Sequence, residues 1–271
     1  ALDLNRSNSY GEHFISNVYA QFKPTNWLAI RTQYGLDYLM TDNDLFSHPL
    51  SGEGFSTTGS ATAIYNKNKR WVWTTTAQFD KVFAEKHTVS ALVGIEHQKS
   101  DNNSYGLNHV TVSDPAFTNI QGGWATPNTS GLGIGENYLY SEFARAQYNY
   151  NRKYFLTANV RRDGASQLGA NSKYGTFWGV SASWDVLTEK FIQNMKVDQV
   201  FSSLRLRASY GKVGNIGGLG NFASLSSYSS GLYGGFATVA YGQAGNPNLT
   251  WETSKKTDVG LNFGLFNDRL T

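Results

Sequence analysis

A two-residue rhythm is the feature that most constrains this chain. In Tyr154-Phe-Leu-Thr-Ala-Asn-Val-Arg-Arg-Asp-Gly164, Tyr154, Leu156, Ala158 and Val160 alternate with Phe155, Thr157, Asn159 and Arg161. In Thr176-Phe-Trp-Gly-Val-Ser-Ala-Ser-Trp-Asp185, Trp178, Val180, Ala182 and Trp184 alternate with Gly179, Ser181, Ser183 and Asp185. Successive side chains of a pleated strand leave opposite faces, so a period of two predicts strands. One face is apolar with aromatic ends, and the other is small and polar. That is the pattern of a strand crossing an outer membrane. Taken alone, the hairpin equally suits a soluble sandwich with one solvated face.

The connections separate these two readings. The rhythm predicts strands at 14–22, 27–40, 71–83, 87–98, 137–150, 154–164, 176–185, 204–213 and 251–263. Between them lie tight turns at 23–26, 84–86 and 151–153, and long polar connections at 41–70, 99–136 and 214–249. Short periplasmic turns alternating with long extracellular loops are a property of transmembrane barrels. A sandwich has no reason to keep that alternation. Residues 187–203 break the rhythm and predict one short helix.

Composition agrees. Charged residues make up 16% of the chain, against roughly 25% in ordinary soluble domains. Aromatics make up 14%, yet no apolar run approaches the roughly 18 residues of a membrane-spanning helix. With no cysteine, disulfides, thiol catalysis and thiolate metal sites fall away. The net charge of +3 is scattered, without the basic stripe that nucleic acid binding uses. The expected fold is therefore all-β: an antiparallel transmembrane β-barrel, present in part as about nine strands. Bare sheet edges are not viable in lipid, so a larger barrel is expected to complete it. The start, Ala1-Leu-Asp-Leu, has neither the basic nor the apolar region of a signal peptide, and the chain reads as a piece of a longer polypeptide.

Four blocks carry a resemblance. Lys153-Tyr154, Val160-Arg-Arg-Asp-Gly-Ala-Ser166, Ser181-Ala-Ser-Trp184 and Glu189-Lys-Phe191 form the first. Leu204-Arg-Leu-Arg-Ala-Ser-Tyr-Gly211 with Gly214-Asn215 is the second, and Asn246-Pro-Asn-Leu-Thr-Trp-Glu-Thr253 the third. Gly260-Leu-Asn-Phe-Gly-Leu-Phe-Asn-Asp-Arg-Leu-Thr271 is the last, with a weaker upstream match at Ser113-Asp-Pro-Ala-Phe117. In this order they resemble SusC/RagA-type TonB-dependent transporters, with Ala165 and Gln167-Leu168 departing from the usual text. The resemblance implies residues 1–271 as one piece of a barrel of about 22 strands with a plugged lumen. It places the plug domain, the TonB-contacting segment and the signal peptide outside this chain. It implies active import of an oligosaccharide or peptide across the outer membrane, no chemistry on the substrate, and a SusD-like surface lipoprotein as partner. A passive channel or surface adhesin on a barrel, and a soluble carbohydrate-binding sandwich, are the other readings.

Candidate site residues follow from parity. Arg31, Arg145, Asn159, Arg161, Asp163, Arg205, Arg207 and Glu252 fall on lumen positions, whereas Glu142 shares the parity of Ala144. Arginine forks pair bidentately with carboxylates, so this set forms either a structural ladder or a polar substrate path. Arg161 and Asp163 are expected to pin residues 164–174, with Gly164 and Gly169 letting the chain bend. Trp124, Tyr228, Tyr233, Phe236 and Tyr241 lie in Gly/Ser-rich connections, where they contact a ligand or partner or pack inside the loops. Gly131-Leu-Gly-Ile-Gly135 and Gly214-Asn-Ile-Gly-Gly-Leu-Gly220 are read as flexible loops and not nucleotide cradles, since neither opens a helix after a strand. The five histidines lack close metal spacing, and Asp42, Asn43 and Asp44 offer oxygen ligands for Ca²⁺. No catalytic constellation and no cofactor is expected.

Overall fold

A computed structural model describes residues 4–195, 200–266 and 269–270, with the side chain of Leu132 left aside. Its strands are β1 (Arg6–Thr25), β2 (Leu28–Ser47), β3 (Ser60–Phe83), β4 (His87–Val112), β5 (Trp124–Tyr150), β6 (Tyr154–Ala165), β7 (Tyr174–Asp185), β8 (Phe201–Asn215), β9 (Ser227–Tyr233), β10 (Phe236–Gln243) and β11 (Glu252–Leu265). Two short helices intervene, α1 (Gly52–Phe55) and α2 (Lys190–Asn194). The main sheet has nine strands in the order β1-β2-β3-β4-β5-β6-β7-β8-β11, so β1 and β11 form its two edges and it does not close. Each of the nine corresponds to one expected from the two-residue rhythm. The remaining pair, β9 and β10, forms its own antiparallel hairpin within the connection from β8 to β11.

The largest difference from the sequence reading lies in the long connections. Residues 41–70 and 99–136 are mostly strand: β2 runs on to Ser47, β3 starts at Ser60, β4 reaches Val112 and β5 begins at Trp124. Polar residues occupy both faces there, so the apolar signal vanishes while backbone pairing continues. Trp124 and Gly131 to Gly135 therefore lie on a strand and not in a loop. Trp27 sits in the first tight turn, and β1 begins well before residue 14. The tight turns at 84–86 and 151–153 carry left-handed residues, Ala84 and Glu85, then Asn151 and Arg152, which suit the twist of two-residue hairpins. The expected helix between β7 and β8 is a single 3-10 turn (Val186–Thr188) followed by α2. Part of that stretch lies outside the described residues.

The chain divides into two compact units. One comprises Ala1–Val18, Tyr34–Val72 and Gln98–Asn137. It has its own small core: Phe46, Ala61 and Val112 are buried, and Trp124 packs edge-on against Phe46 at 6.3 Å between ring centroids. Arg6 binds Asp44 through two nitrogens, at 2.8 and 3.0 Å, and donates to the Thr118 carbonyl. Asp44 is thus committed to an arginine. Among the described residues, no group of three or more His, Cys, Asp or Glu is placed to hold a metal ion.

The other unit comprises Tyr19–Gln33, Trp73–His97 and Tyr138–Thr271. Its registers fix the two faces from β5 to β11, because residues directly opposite share a face. Tyr148, Leu156, Ala182, Ala208 and Val259 form one transverse row, and Tyr150, Tyr154, Trp184, Leu206 and Leu261 the next. The other face carries rows such as Gln147, Thr157, Ser181, Ser209 and Asp258. Leu156, Val160, Val180, Ala182 and Leu206 all stand on the apolar face, as the two-residue period predicts. Stacked rings run along its short-turn end, with Tyr150 to Tyr154 at 6.3 Å and Tyr154 to Trp184 at 6.4 Å. Glu142 is opposite Arg162 on this same face and pairs with it at 3.6 Å, as its parity with Ala144 indicated.

Candidate functional site on the polar face

The polar face holds its charged residues in separate groups. The most densely bonded centres on Arg161, on β6. Its Nε donates to Asp163 Oδ1 at 2.6 Å, and its Nη2 donates to Ser141 Oγ at 2.7 Å and Glu96 Oε1 at 3.1 Å. Glu96 Oε2 in turn accepts from Thr74 Oγ1 at 3.1 Å. The guanidinium lies 5.5 Å from the centre of the Phe143 ring, within cation–π range. That ring occupies the space above Gly94, where a Cβ would fall 2.5 Å from it. Ser141 is fully buried and Asp163 is 8% exposed. One arginine therefore ties side chains of β4, β5 and β6 together, and Glu96 extends the network to β3.

The connection from β6 to β7 is anchored mainly by other groups. Tyr138 N donates to Ser166 Oγ, and Ser166 N to the Tyr138 carbonyl, both at 2.9 Å. Gly169 N donates to the Leu249 carbonyl, Ser224 Oγ to the Leu168 carbonyl, and Trp251 Nε1 to the Lys173 carbonyl. Leu168 is buried. The Asn246-Pro-Asn-Leu249 block thus receives the connection through loop-to-loop backbone bonds, Gly169 N to Leu249 and Asn171 N to Pro247. Neither Gly164 nor Gly169 takes left-handed backbone, though Gly169 opens a turn in which Ser172 N donates to its carbonyl at 2.9 Å. Gly169 is required by close approach instead: a Cβ would sit 2.0 Å from the Pro247 carbonyl oxygen.

A second group is open. Arg205 Nη2 donates to Asp185 Oδ2 at 3.3 Å and lies 4.9 Å from the Phe155 ring centre. Arg207 is opposite Ser183 on one side and Gly260 on the other. With Asp258 and Asn262 these residues line a depression of about 640 Å³. The other candidates stand apart. Arg31 Nη2 donates to Gln33 at 2.7 Å and its guanidinium covers Tyr19 at 4.1 Å. Arg145 is opposite Asn159, and Glu252 accepts from Asn215 Nδ2 at 3.0 Å.

The aromatic candidates divide as well. Trp124 is packed: its Nε1 donates to the Asn119 carbonyl at 2.9 Å, and His109 lies 6.3 Å away. Tyr228 and Tyr241 meet edge-on at 5.6 Å across the β9–β10 hairpin. Tyr233 and Phe236, opposite one another beside the Gly234-Gly235 turn, are 83% and 80% exposed.

Thr74, Glu96, Ser141, Asp185 and Asp258 complete these groups without having been singled out in the sequence. Glu96 has the inward parity of Thr88, Ser90 and Gly94, which was the available signal. Which carboxylate reaches which arginine depends on register, and the period does not contain it. At the short-turn end, Glu189 accepts from Tyr154 OH at 2.6 Å, and from Lys153 Nζ and Trp184 Nε1 at 3.4 Å each. The hydrogen bond from Tyr154, followed by those from Trp184 and Lys153, holds its carboxyl below the usual carboxylate value. Segments of the first sequence block, distant along the chain, thus converge on one carboxylate.

Comparison with known proteins gives this architecture a family. Residues 2–271 match the model for TonB dependent receptor-like β-barrels. TonB-dependent receptor P26 of Formosa agariphila is 31% identical over 98% of this chain, and TonB-dependent receptor SusC of Bacteroides thetaiotaomicron is 32% identical over 50% of it. The chain spans 27% of the first relative's length and 14% of the second's. A solved structure of the RagAB peptide transporter superimposes with a TM-score of 0.85 at 25% identity, over 98% of this chain and 30% of that one. With an open antiparallel sheet of one polar and one apolar face, matched end to end, the chain belongs to the β-barrel family of TonB-dependent receptors, of the SusC/RagA type.

Proposed function

We propose that this chain forms part of the wall of an outer-membrane importer, carrying an oligosaccharide or peptide inward at the expense of energy delivered by TonB. The observation that carries the reading is the superposition, over nearly the whole chain, on the RagAB peptide transporter. The family consists of outer-membrane proteins, and the apolar face with its aromatic rim suits lipid contact. In this reading the polar face lines the lumen. Arg31, Arg145, Asn159, Arg161, Asp163, Arg205, Arg207 and Glu252 then face the plug or the passing substrate. Arg161 and Asp163 brace the wall, while Arg205 and Arg207, open beside Asp258 and Asn262, are suited to hold carboxylates or hydroxyls of a substrate. The plug domain and TonB-contacting segment belong to the remainder of the receptor. The β9–β10 hairpin presents Tyr228, Tyr233, Phe236 and Tyr241 to a SusD-like lipoprotein over the mouth. The substrate is moved and not chemically altered.

The test is uptake by cells carrying the full-length receptor. Labelled peptide and oligosaccharide pools are expected to enter saturably, and entry is expected to stop when TonB is removed. Uptake that persists at the same rate without TonB identifies a passive channel and overturns the proposal. Gentle solubilisation is expected to co-purify the lipoprotein, and repeated recovery of the barrel alone with the lipoprotein expressed counts against the lid.

A further inference from the structure

The middle of the polar face has a floor without side chains. Gly179 on β7 and Gly211 on β8 are directly opposite one another, in a transverse row that runs Arg145, Asn159, Gly179, Gly211 and Lys256. A Cβ on Gly179 would fall 2.7 Å from Asn159 Oδ1, and one on Gly211 would fall 2.8 Å from the Trp178 carbonyl oxygen. Taller rows flank this one, with Phe143, Arg161 and Phe177 on one side and Gln147, Thr157, Ser181 and Ser209 on the other. Bare backbone between them leaves a depression of about 790 Å³.

Charge in the depression is unbalanced. Arg145 stands at one end of the row and Lys256 at the other, about 19 Å apart at the backbone over four strand spacings of about 4.8 Å. On β11 the run Lys255-Lys256 splits across the wall: Lys255 is opposite Lys212 on the apolar face, and Lys256 is opposite Gly211 on the polar one. Among the described residues neither Arg145 nor Lys256 forms an ion pair. Other acids of this face are engaged elsewhere: Glu96 and Asp163 hold Arg161, Asp185 holds Arg205, and Glu252 accepts from Asn215. Asp258 stands two residues along β11 from Lys256, opposite Ser209, and leaves the Arg145 end without a counter-charge. Cations at both ends of an uncharged floor draw an anion, and an arginine fork suits a carboxylate.

The rest of the lining narrows the class. Leu92, Phe143, Phe177 and Val213 also border the depression. A pyranose lays its C–H face on an open aromatic ring, and neither phenylalanine offers one. The Arg161 guanidinium covers Phe143 at 5.5 Å, and Phe177 is 8% exposed with Trp251 edge-on at 5.0 Å. Irregular apolar edges suit the side chains of a peptide instead. An extended peptide of about six residues spans the row at roughly 3.4 Å per residue.

We propose that this trough is a subsite for acidic peptides, in which Arg145 and Lys256 hold carboxylates of one extended segment while its apolar side chains rest on Leu92, Phe143 and Val213. The proposal rests on the import reading and deepens it, choosing peptide over oligosaccharide and giving the peptide a charge. Charge-assisted hydrogen bonds are the stronger kind, so replacing the carboxylates by amides weakens binding about tenfold.

The experiment uses the full-length receptor purified in detergent. Its probes are a labelled peptide with glutamates at both ends of a leucine-rich centre, the same peptide with glutamines, and a labelled acidic oligosaccharide. Affinity is read by fluorescence anisotropy. Wild type is expected to prefer the glutamate peptide over the glutamine peptide about tenfold. Arg145→Gln/Lys256→Gln is expected to erase that preference, and Arg145→Lys/Lys256→Arg to keep most of it, which separates charge from disturbed assembly. No preference in wild type, or an equal preference in wild type and the Gln variant, overturns the proposal. A plug that covers the trough, or a strand beyond β11 that brings Lys256 a carboxylate, would produce that result. Loss of affinity for the acidic oligosaccharide in the Gln variant, with the peptide preference intact, assigns the trough to sugar and overturns it too. Binding and not uptake is read here. TonB-independent uptake therefore fails the import reading alone, and an equal preference alongside TonB-dependent uptake fails the trough alone.

Discussion

Arg161 and Arg205 stand on the same polar face, each beside an aspartate and each over a phenylalanine ring. Their settings nevertheless differ. Arg161 makes three hydrogen bonds, two of them to carboxylates whose side chains are 12% and 23% exposed. Arg205 makes one long contact to Asp185 and is 47% exposed. A guanidinium with its donors spent on neighbouring strands is a brace. One with donors left over in an open depression can exchange its contact for another. Identical residue types at identical parity thus do different work, and the deciding variable is how many acceptors the adjacent strands bring.

The comparison breaks most severely if the face assignment is wrong. Val180→Arg near the bilayer midplane is expected to cost about 2–4 kcal/mol, and Ser181→Arg far less. Unfolding in lipid vesicles measures this, and equal losses on both parities would mean that neither arginine stands on the polar side. Next in size is Arg161→Ala, which strands Glu96 and Asp163. A cost of about 2–3 kcal/mol is expected, below that of a fully buried pair because water reaches the site. Combining it with Asp163→Ala is expected to cost less than the sum of the two, a sign of one network. Additive losses would dissolve the brace into independent contacts. Protease sensitivity of residues 166–173 is expected to change little, since backbone bonds to residues 246–249 hold that segment.

Arg205→Ala sharpens the contrast from the other side. Stability is expected to stay within about 0.5 kcal/mol of wild type, while uptake by the full-length receptor falls. A loss of stability like that of Arg161→Ala would make both arginines braces. The smallest effect concerns pH at the short-turn end. The Glu189 carboxyl is lowered in the folded barrel, chiefly by the Tyr154 hydroxyl. Its contribution is therefore complete above the unfolded value, about 4.3, and is lost as pH falls through the depressed folded value. Protection of residues 186–195 from hydrogen exchange, relative to the intrinsic rate at each pH, is expected to fall on acidification through that range. Glu189→Gln is expected to show fast exchange already at neutral pH and to lose the dependence; an unchanged profile would remove Glu189 from the clamp.

How much of this was legible in the sequence depended on whether a residue's environment differed between its two faces. Where one face is apolar and the other wet, as in 154–164 and 204–213, alternation located the strands and assigned Arg161, Arg205 and Arg207 to the polar side. Where both faces are polar, as at 41–47 and 99–112, alternation had nothing to report, and long strands read as loops. The β9–β10 hairpin was hidden for a related reason: its residues are exposed on both sides, so no face is marked by composition.

By itself, the sequence determined the strand set of the main sheet and its two faces, because a period of two is a local property of the backbone. It also determined the family, through motifs in fixed order. Only the tertiary structure decided which partners meet. Glu96 lies 65 residues from Arg161, and Lys255 lies 43 residues from Lys212; register alone brings each pair together. Shifting a strand by two residues keeps every face and changes every neighbour. Side chains therefore acquired their partners only when backbone hydrogen bonds had fixed the stagger of the strands.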